Sequence, residues 1–269
     1  MHPIKSPLRY PGGKSKALGK ILPQFPAVIQ EYREPFLGGG SVFLAARQLP
    51  GYQIKHYWIN DLNLDLHCFW LVAQREINSL VETVTNIWQT RRDGRELFRS
   101  LTTENLDLTE FDRAVRFFIL NRITFSGTVD SGGYSQQAFE RRFTLSSIHR
   151  LHKLADQLSA TCITNQDYET LLFEPGEQVF IFLDPPYLSA TKSKLYGRKG
   201  DLHTSFDHEK FAKNMYQCPH KWLITYDDSP EIRDLFHFAT ISEWTLQYGM
   251  NNYKQDGAAA GRELFIKNY

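Results

Sequence analysis

The run VFIFLDPPY ends in four residues whose types could do chemistry: Asp184, Pro185, Pro186 and Tyr187. Neither proline has an N–H, and each locks φ at about −65°. Pro185 also pushes Asp184 away from helical geometry. A strand therefore delivers a carboxylate into a stiff elbow. The elbow offers two acceptors, the carboxylate of Asp184 and the carbonyl of Pro185. That pair suits the two N–H donors of an exocyclic amine on an aromatic base. Such an amine is a weak nucleophile, because its lone pair is delocalised into the ring. Acceptors on both hydrogens favour the pyramidal amine and free the lone pair, and Tyr187 could stack on the base. The same four residues also suit a structural turn with a buried tyrosine, so alone they do not decide.

Two glycine motifs add to the elbow. In FLGGG, Phe36 to Gly40, glycines stand where a strand turns into a helix. There a backbone can approach a ligand, and the helix N-terminus has free N–H groups. Asp61 follows about twenty residues later, at the expected end of the next strand, where an acid can accept from ribose hydroxyls. A tight turn and a strand-end cap are the bland alternatives, but the pair favours an adenosine-containing ligand. In RYPGGKSK, Arg9 to Lys16, Pro-Gly-Gly sets a turn that brings Lys14 close, or simply an ordered turn with a solvent lysine.

These motifs need a scaffold. Glu31–Phe36, the glycine turn, a helix over Ser41–Leu49 and a strand over Gln53–Asn60 predict the opening of a doubly wound sheet. From about Leu64 to Leu158 helical periodicity takes over, interrupted by FSGTVDSGGYS. Strands return at Thr161–Thr164, Val179–Leu183 and Trp222–Tyr226. A helix is expected over Phe206–Tyr216, capped by Ser205 or Asp207, and another after Ser229 with Pro230 at its first position. Thr240–Tyr248 and Glu263–Asn268 predict a closing strand pair. A helical block is thus inserted into one α/β domain.

Formal net charge is +1 over 269 residues, which does not by itself suggest nucleic acid. The basic residues are clustered, however: Arg91, Arg92, Arg95 and Arg99; Arg141, Arg142, Arg150 and Lys153; Lys192, Lys194, Arg198 and Lys199. Such runs are either solvated faces or a nucleic-acid footprint. No stretch reaches the ~20 apolar residues of a membrane span, and the first residues predict no export signal. Cys68, Cys162 and Cys218 are isolated, with no CxxC and no His at ligand spacing, which fits a reducing cytoplasm and argues against a zinc site.

Together the motifs resemble the Dam-type DNA adenine-N6 methyltransferases (D12 class, group alpha). RYPGGKSK, EPFLGGGSVF, IND at Ile59–Asp61, LNR at Leu120–Arg122, NQDYETLL at Asn165–Leu172, LDPPYLSAT, SFDHEKF, LITYDDSPEIRDLF and GRELFIKNY follow that family's order over nearly the whole chain. The resemblance implies an α/β fold: a Rossmann-like methyltransferase sheet with an inserted, mainly helical target-recognition domain. Residues 1–63 and 160–269 would be catalytic, and 64–159 inserted. It implies S-adenosyl-L-methionine as cofactor, giving S-adenosyl-L-homocysteine, in a pocket lined by Tyr10, Gly12, Gly13, Lys14, Phe36, Gly38, Gly40, Asp61, Asp167 and Asp184. Asp184, Pro185, Pro186 and Tyr187 would be catalytic, on an adenine flipped out of double-stranded DNA. The DNA grip is expected from Arg122, Arg141, Arg142, Lys192, Lys194, Arg198 and Lys199, with the loop Ser189–Gly200 closing over the strand. No metal is expected. A monomer in the cytoplasm of a bacterium or phage host, at the nucleoid, is implied, and a restriction endonuclease sharing the site is a partner the resemblance allows. After LNR this chain reads ITFSGTVDSGGYS, where GATC-specific members have a tyrosine-rich stretch, so no base-reading residue is assigned. Cytosine N4 methylation and a silent DNA-binding role are the rival readings.

Overall fold

The computed structural model describes residues 4–91, 93–103, 107–129, 132–188, 206–246 and 261–269. Among these, seven strands form one sheet: β1 (Glu31–Glu34), β2 (His56–Asn60), β3 (Thr161–Thr164), β4 (Val179–Leu183), β5 (Lys221–Asp227), β6 (Thr240–Leu246) and β7 (Gly261–Lys267). Their order across the sheet is β3-β2-β1-β4-β5-β7-β6. The first five pair parallel, and β7 runs antiparallel to both β5 and β6. β4 has parallel partners on both sides, and all five of its residues are buried. That accounts for its unbroken apolar run, since a central parallel strand is covered on both faces.

The ends differ from expectation for local reasons. β1 stops at Glu34 because Pro35 has no N–H to give to a ladder. Helix α1 spans Leu18–Ile21, and α2 is Ser41–Ala46, shorter than expected. The later helix is His208–Gln217, and its N-cap is Asp207, whose side chain accepts from the Lys210 N–H. Ser205, the other cap candidate, lies outside the described residues, as do Tyr248 and the loop 189–205. Ser229 caps the helix Pro230–Leu235 as expected.

The helical block contains α3 (Leu64–Arg75), α4 (Ile77–Thr90), α5 (Gly94–Thr102), α6 (Glu110–Ile123), α7 (Gln136–Arg142), α8 (Leu145–His149) and α9 (Leu154–Leu158). It shares the core of the sheet. One apolar cluster runs from Tyr32, Phe43 and Phe180 through Phe69 and Trp70 to Phe117, Ile148 and Leu154. Residues 64–159 thus contribute side chains to the same apolar cluster as the sheet. Asp65 of α3 pairs with Arg113 and Arg116 of α6 at 2.7 and 2.6 Å, fixing those helices together. Asn121 of α6 accepts from the Arg9 N–H at 2.9 Å and donates to its carbonyl at 2.8 Å, clamping the N-terminal segment to the block. No helix among the described residues is long and apolar enough to cross a membrane.

Candidate active site

β1 is flanked by β2 on one side and β4 on the other, so crossovers leave its carboxyl end in opposite directions. Open α/β sheets bind ligands at such a switch point. Here the carboxyl ends of β1, β2, β4 and β5 border a pocket of ≈ 820 Å³. Tyr10, Gly12, Gly13, Lys14, Phe36, Gly38, Gly40, Asp61, Asp167 and the elbow Asp184–Tyr187 all line it, so residues from distant motifs share one wall.

The glycine turn is shaped for close approach. Gly40 has φ 65°, a left-handed conformation, and a Cβ there would come within 2.8 Å of the Trp70 ring. Gly38, at φ 49°, gives its N–H to Asp61 Oδ2 at 2.8 Å, while Asp61 Oδ1 accepts from the Asn63 N–H at 3.0 Å. Burial pushes the Asp61 carboxyl up to about 6, against the pull of those two N–H groups. Gly12, at φ 71°, completes a turn closed by Gly13 N–H to the Tyr10 carbonyl at 3.1 Å. This turn seats Lys14, which is 4 % exposed.

At the elbow, Asp184 is held from two directions. Lys14 Nζ lies 2.7 Å from Oδ1 and 2.8 Å from Oδ2, and Thr225 of β5 donates to Oδ1 at 2.8 Å. Tyr187 packs on Tyr226, with ring centroids 5.8 Å apart, and donates its hydroxyl to Glu263 at 2.9 Å. Lys14 Nζ also stands 4.9 Å from the centroid of the Tyr187 ring. Leu188 N–H goes to Asp227 Oδ1 at 3.2 Å. The elbow is thus braced by β5, β7 and the N-terminal turn.

Sequence reasoning missed several of these residues. Thr225 and Glu263 sit within strand-like runs that carry no local sign of a site. Tyr168 follows Asp167 directly, and Phe206 precedes the α11 helix (His208–Gln217). Both rings pack with Phe36, at 5.4 and 5.8 Å between centroids, forming an aromatic corner of the pocket. Asp167 caps α10 (Tyr168–Phe173) through Glu169 N–H at 2.9 Å. Glu34, 2 % exposed, accepts from the Tyr32 hydroxyl; burial keeps its carboxyl well above the usual range, and Asp184 and Asp61 add to the shift.

The pocket could hold a nucleoside that carries a positive charge. Its aromatic corner, tilted at Phe36–Tyr168 and edge-on at Phe36–Phe206, could receive a purine, and Asp61, which accepts one N–H at each oxygen, could also accept from a ribose hydroxyl. Besides Glu34, whose charged form burial disfavours, its described lining has seven acids (Asp61, Asp167, Glu169, Asp184, Asp207, Asp227, Asp228) against three bases (Lys14, Lys210, Arg262), an excess that favours a cation. S-adenosylmethionine, a sulfonium nucleoside, fits that donor set.

The basic residues divide. Arg141 and Arg142 are exposed at the end of α7. Lys192, Lys194, Arg198 and Lys199 lie outside the described residues. Arg122 departs from the expected surface contact: it is 5 % exposed, with its guanidinium 5.3 Å from the Phe118 ring. It lies on a helix turn that is buried nearly all round, which draws it inward. Burial and the charges of Arg150, Arg9 and Arg142 lower its pKa to about 9. Its Nε has no hydrogen-bond partner among the described residues. Arg33, equally buried, instead pairs with Glu31 and donates to the carbonyls of Leu171, Glu174 and Pro175.

A family model described as D12 class N6 adenine-specific DNA methyltransferase matches residues 10–250. The chain is 26% identical to the DNA N-6-adenine-methyltransferase of Escherichia phage P1, over 87% of this chain and 31% of that protein. It is 25% identical to the Type II methyltransferase M.MjaIII of Methanocaldococcus jannaschii, over 72% of each. With the modification methylase StsI of Streptococcus sanguinis it shares 30% identity over 99% of this chain and 43% of that one. The chain therefore spans less than half of two of these relatives.

Proposed function

The chain belongs to the D12 class N6 adenine-specific DNA methyltransferases, and from that premise we propose that it methylates the N6 amine of an adenine in double-stranded DNA, using S-adenosylmethionine. The observation that carries this reading is the meeting of the Asp184–Tyr187 elbow with the glycine turn and Asp61 in one pocket.

S-adenosylmethionine supplies the methyl group. Tyr10, the turn at Gly12–Lys14, Gly38, Gly40 and Asp61 would hold it, with Phe36, Tyr168 and Phe206 against its adenine and Asp167 beside them. The target amine is out of reach within a duplex, so the base must be extruded into the pocket. Tyr187 then supports its ring. Thr225 keeps Asp184 Oδ1 in place, so Oδ2 is the oxygen that turns to the amine once Lys14 shifts aside. The Pro185 carbonyl is the second acceptor. The exposed Arg142 and Arg150, with Arg9, form an acid-poor neighbourhood around Arg122 suited to the DNA backbone.

The test is to incubate the protein with S-adenosylmethionine and unmethylated DNA, digest to nucleosides and separate them. N6-methyladenine is expected. N4-methylcytosine, or no methylated base at all, would overturn the reading.

A further inference from the structure

A carboxylate stands where the apolar strand β7 needs none. Glu263 is 0 % exposed, and the three residues after it, Leu264, Phe265 and Ile266, are buried apolar side chains. In register it lies between Asp227 of β5 and Trp244 of β6. Burying a carboxylate is costly unless it accepts strong hydrogen bonds. One such bond comes from the elbow: the Tyr187 hydroxyl donates to Glu263 Oε2 at 2.9 Å across 76 residues. We infer that Glu263 is a positioning residue for methyl transfer, fixing the ring of Tyr187 in the plane that an extruded base must meet. The inference rests on the methyl-transfer reading above.

The physical case has two parts. A tyrosine ring turns about two torsions, and stacking depends on the plane of the ring. Here the body of the ring packs on Tyr226, and the hydroxyl at its far end is tied to Glu263. The ring is held on the face that packs on Tyr226 and at its hydroxyl, so once Lys14, 4.9 Å from its centroid, shifts aside, a base arriving in the pocket meets a surface already in place. A phenol donating to a carboxylate also gains electron density, which favours a partner becoming positive as its amine is alkylated. Both effects are felt at the acceptor base. Neither touches the glycine turn or Asp61, which belong to the cofactor side.

The test measures tritiated methyl transfer to unmethylated plasmid DNA by four proteins: wild type, Tyr187→Phe, Glu263→Ala and the double variant. Losing this buried hydrogen bond should lower kcat/KM for DNA about tenfold in each single variant. The double variant should be no worse than the poorer single one, while KM for S-adenosylmethionine stays near wild type in all. Glu263→Gln keeps both an acceptor and the volume of the side chain and should recover most of the loss, while Tyr187→Phe, which leaves the packing of Glu263 intact, separates the hydrogen bond from a packing defect. If Glu263→Ala fails to fold, Tyr187→Phe reads the same hydrogen bond with Glu263 in place. Wild-type kcat/KM for DNA in Tyr187→Phe, or losses that multiply in the double variant, would overturn the inference alone. A wild type that methylates no adenine would overturn the functional reading and this inference with it.

Discussion

Lys14 Nζ and the Asp184 carboxylate, 170 residues apart in the chain, lie 2.7 Å apart in the lining of the pocket. The ammonium is buried and the carboxylate 21 % exposed, so the acid proposed to meet the amine is the more accessible of the pair. Asp184→Ala should abolish methyl transfer, because an acceptor used in the transition state is worth on the order of 2–4 kcal/mol. Binding of S-adenosylmethionine should largely survive. Rates and equilibrium binding measured on one preparation check this, and near-normal turnover would remove Asp184 from the chemistry.

Thr225 is fully buried and donates to Asp184 Oδ1 at 2.8 Å. Thr225→Val keeps the shape and removes the donor. The carboxylate should then wander between rotamers, and kcat should fall by roughly tenfold or more, as for a lost bond to a charged group. KM for S-adenosylmethionine should change little, so steady-state kinetics with each substrate varied in turn separates the two effects.

The Asp61 carboxyl, lifted by burial to about 6, sets a pH dependence. Its folded-state value lies above the ~3.9 of an unfolded aspartate. The folded protein therefore takes up the proton first, and Asp61 weighs against stability progressively as pH rises from about 4 to 6. Cofactor binding runs the other way, since the ionised form offers more acceptor capacity to a ribose. The value of kcat/KM for S-adenosylmethionine should fall as pH drops through about 6. Asp61→Asn should lower it above pH 6 and flatten this limb of the profile. A profile from pH 5 to 8 that is the same in both proteins would exclude Asp61 from the cofactor site.

Arg142 and Arg150 are exposed cations beside the buried Arg122. Replacing both by Gln should weaken DNA binding evenly across sequences. Each lost phosphate contact should flatten the slope of log affinity against log salt by roughly 0.9. Titrations over a salt series check this; an unchanged slope would mean that these charges only solvate the surface.

Features that covalent geometry settles were legible in the residues themselves. Proline restricts φ, so Asp184-Pro185-Pro186 reads as an elbow wherever it lies. Glycine tolerates left-handed backbone, so Gly12, Gly38 and Gly40 read as turns, and each has positive φ. The unbroken run Val179–Leu183 read as a buried strand because a parallel strand is covered on both faces, and it is β4. What braces the elbow depended on tertiary structure. Lys14, Thr225 and Glu263 come from parts of the chain that only the order of the parallel strands and the antiparallel return of β7 bring together. Thr225 and Glu263 sit in strand runs where a polar residue carries no local sign of its partner. Arg122 makes the same point from the other side: a charge in sequence predicts solvent, but α6 is packed nearly all round, and its neighbours place that charge inside.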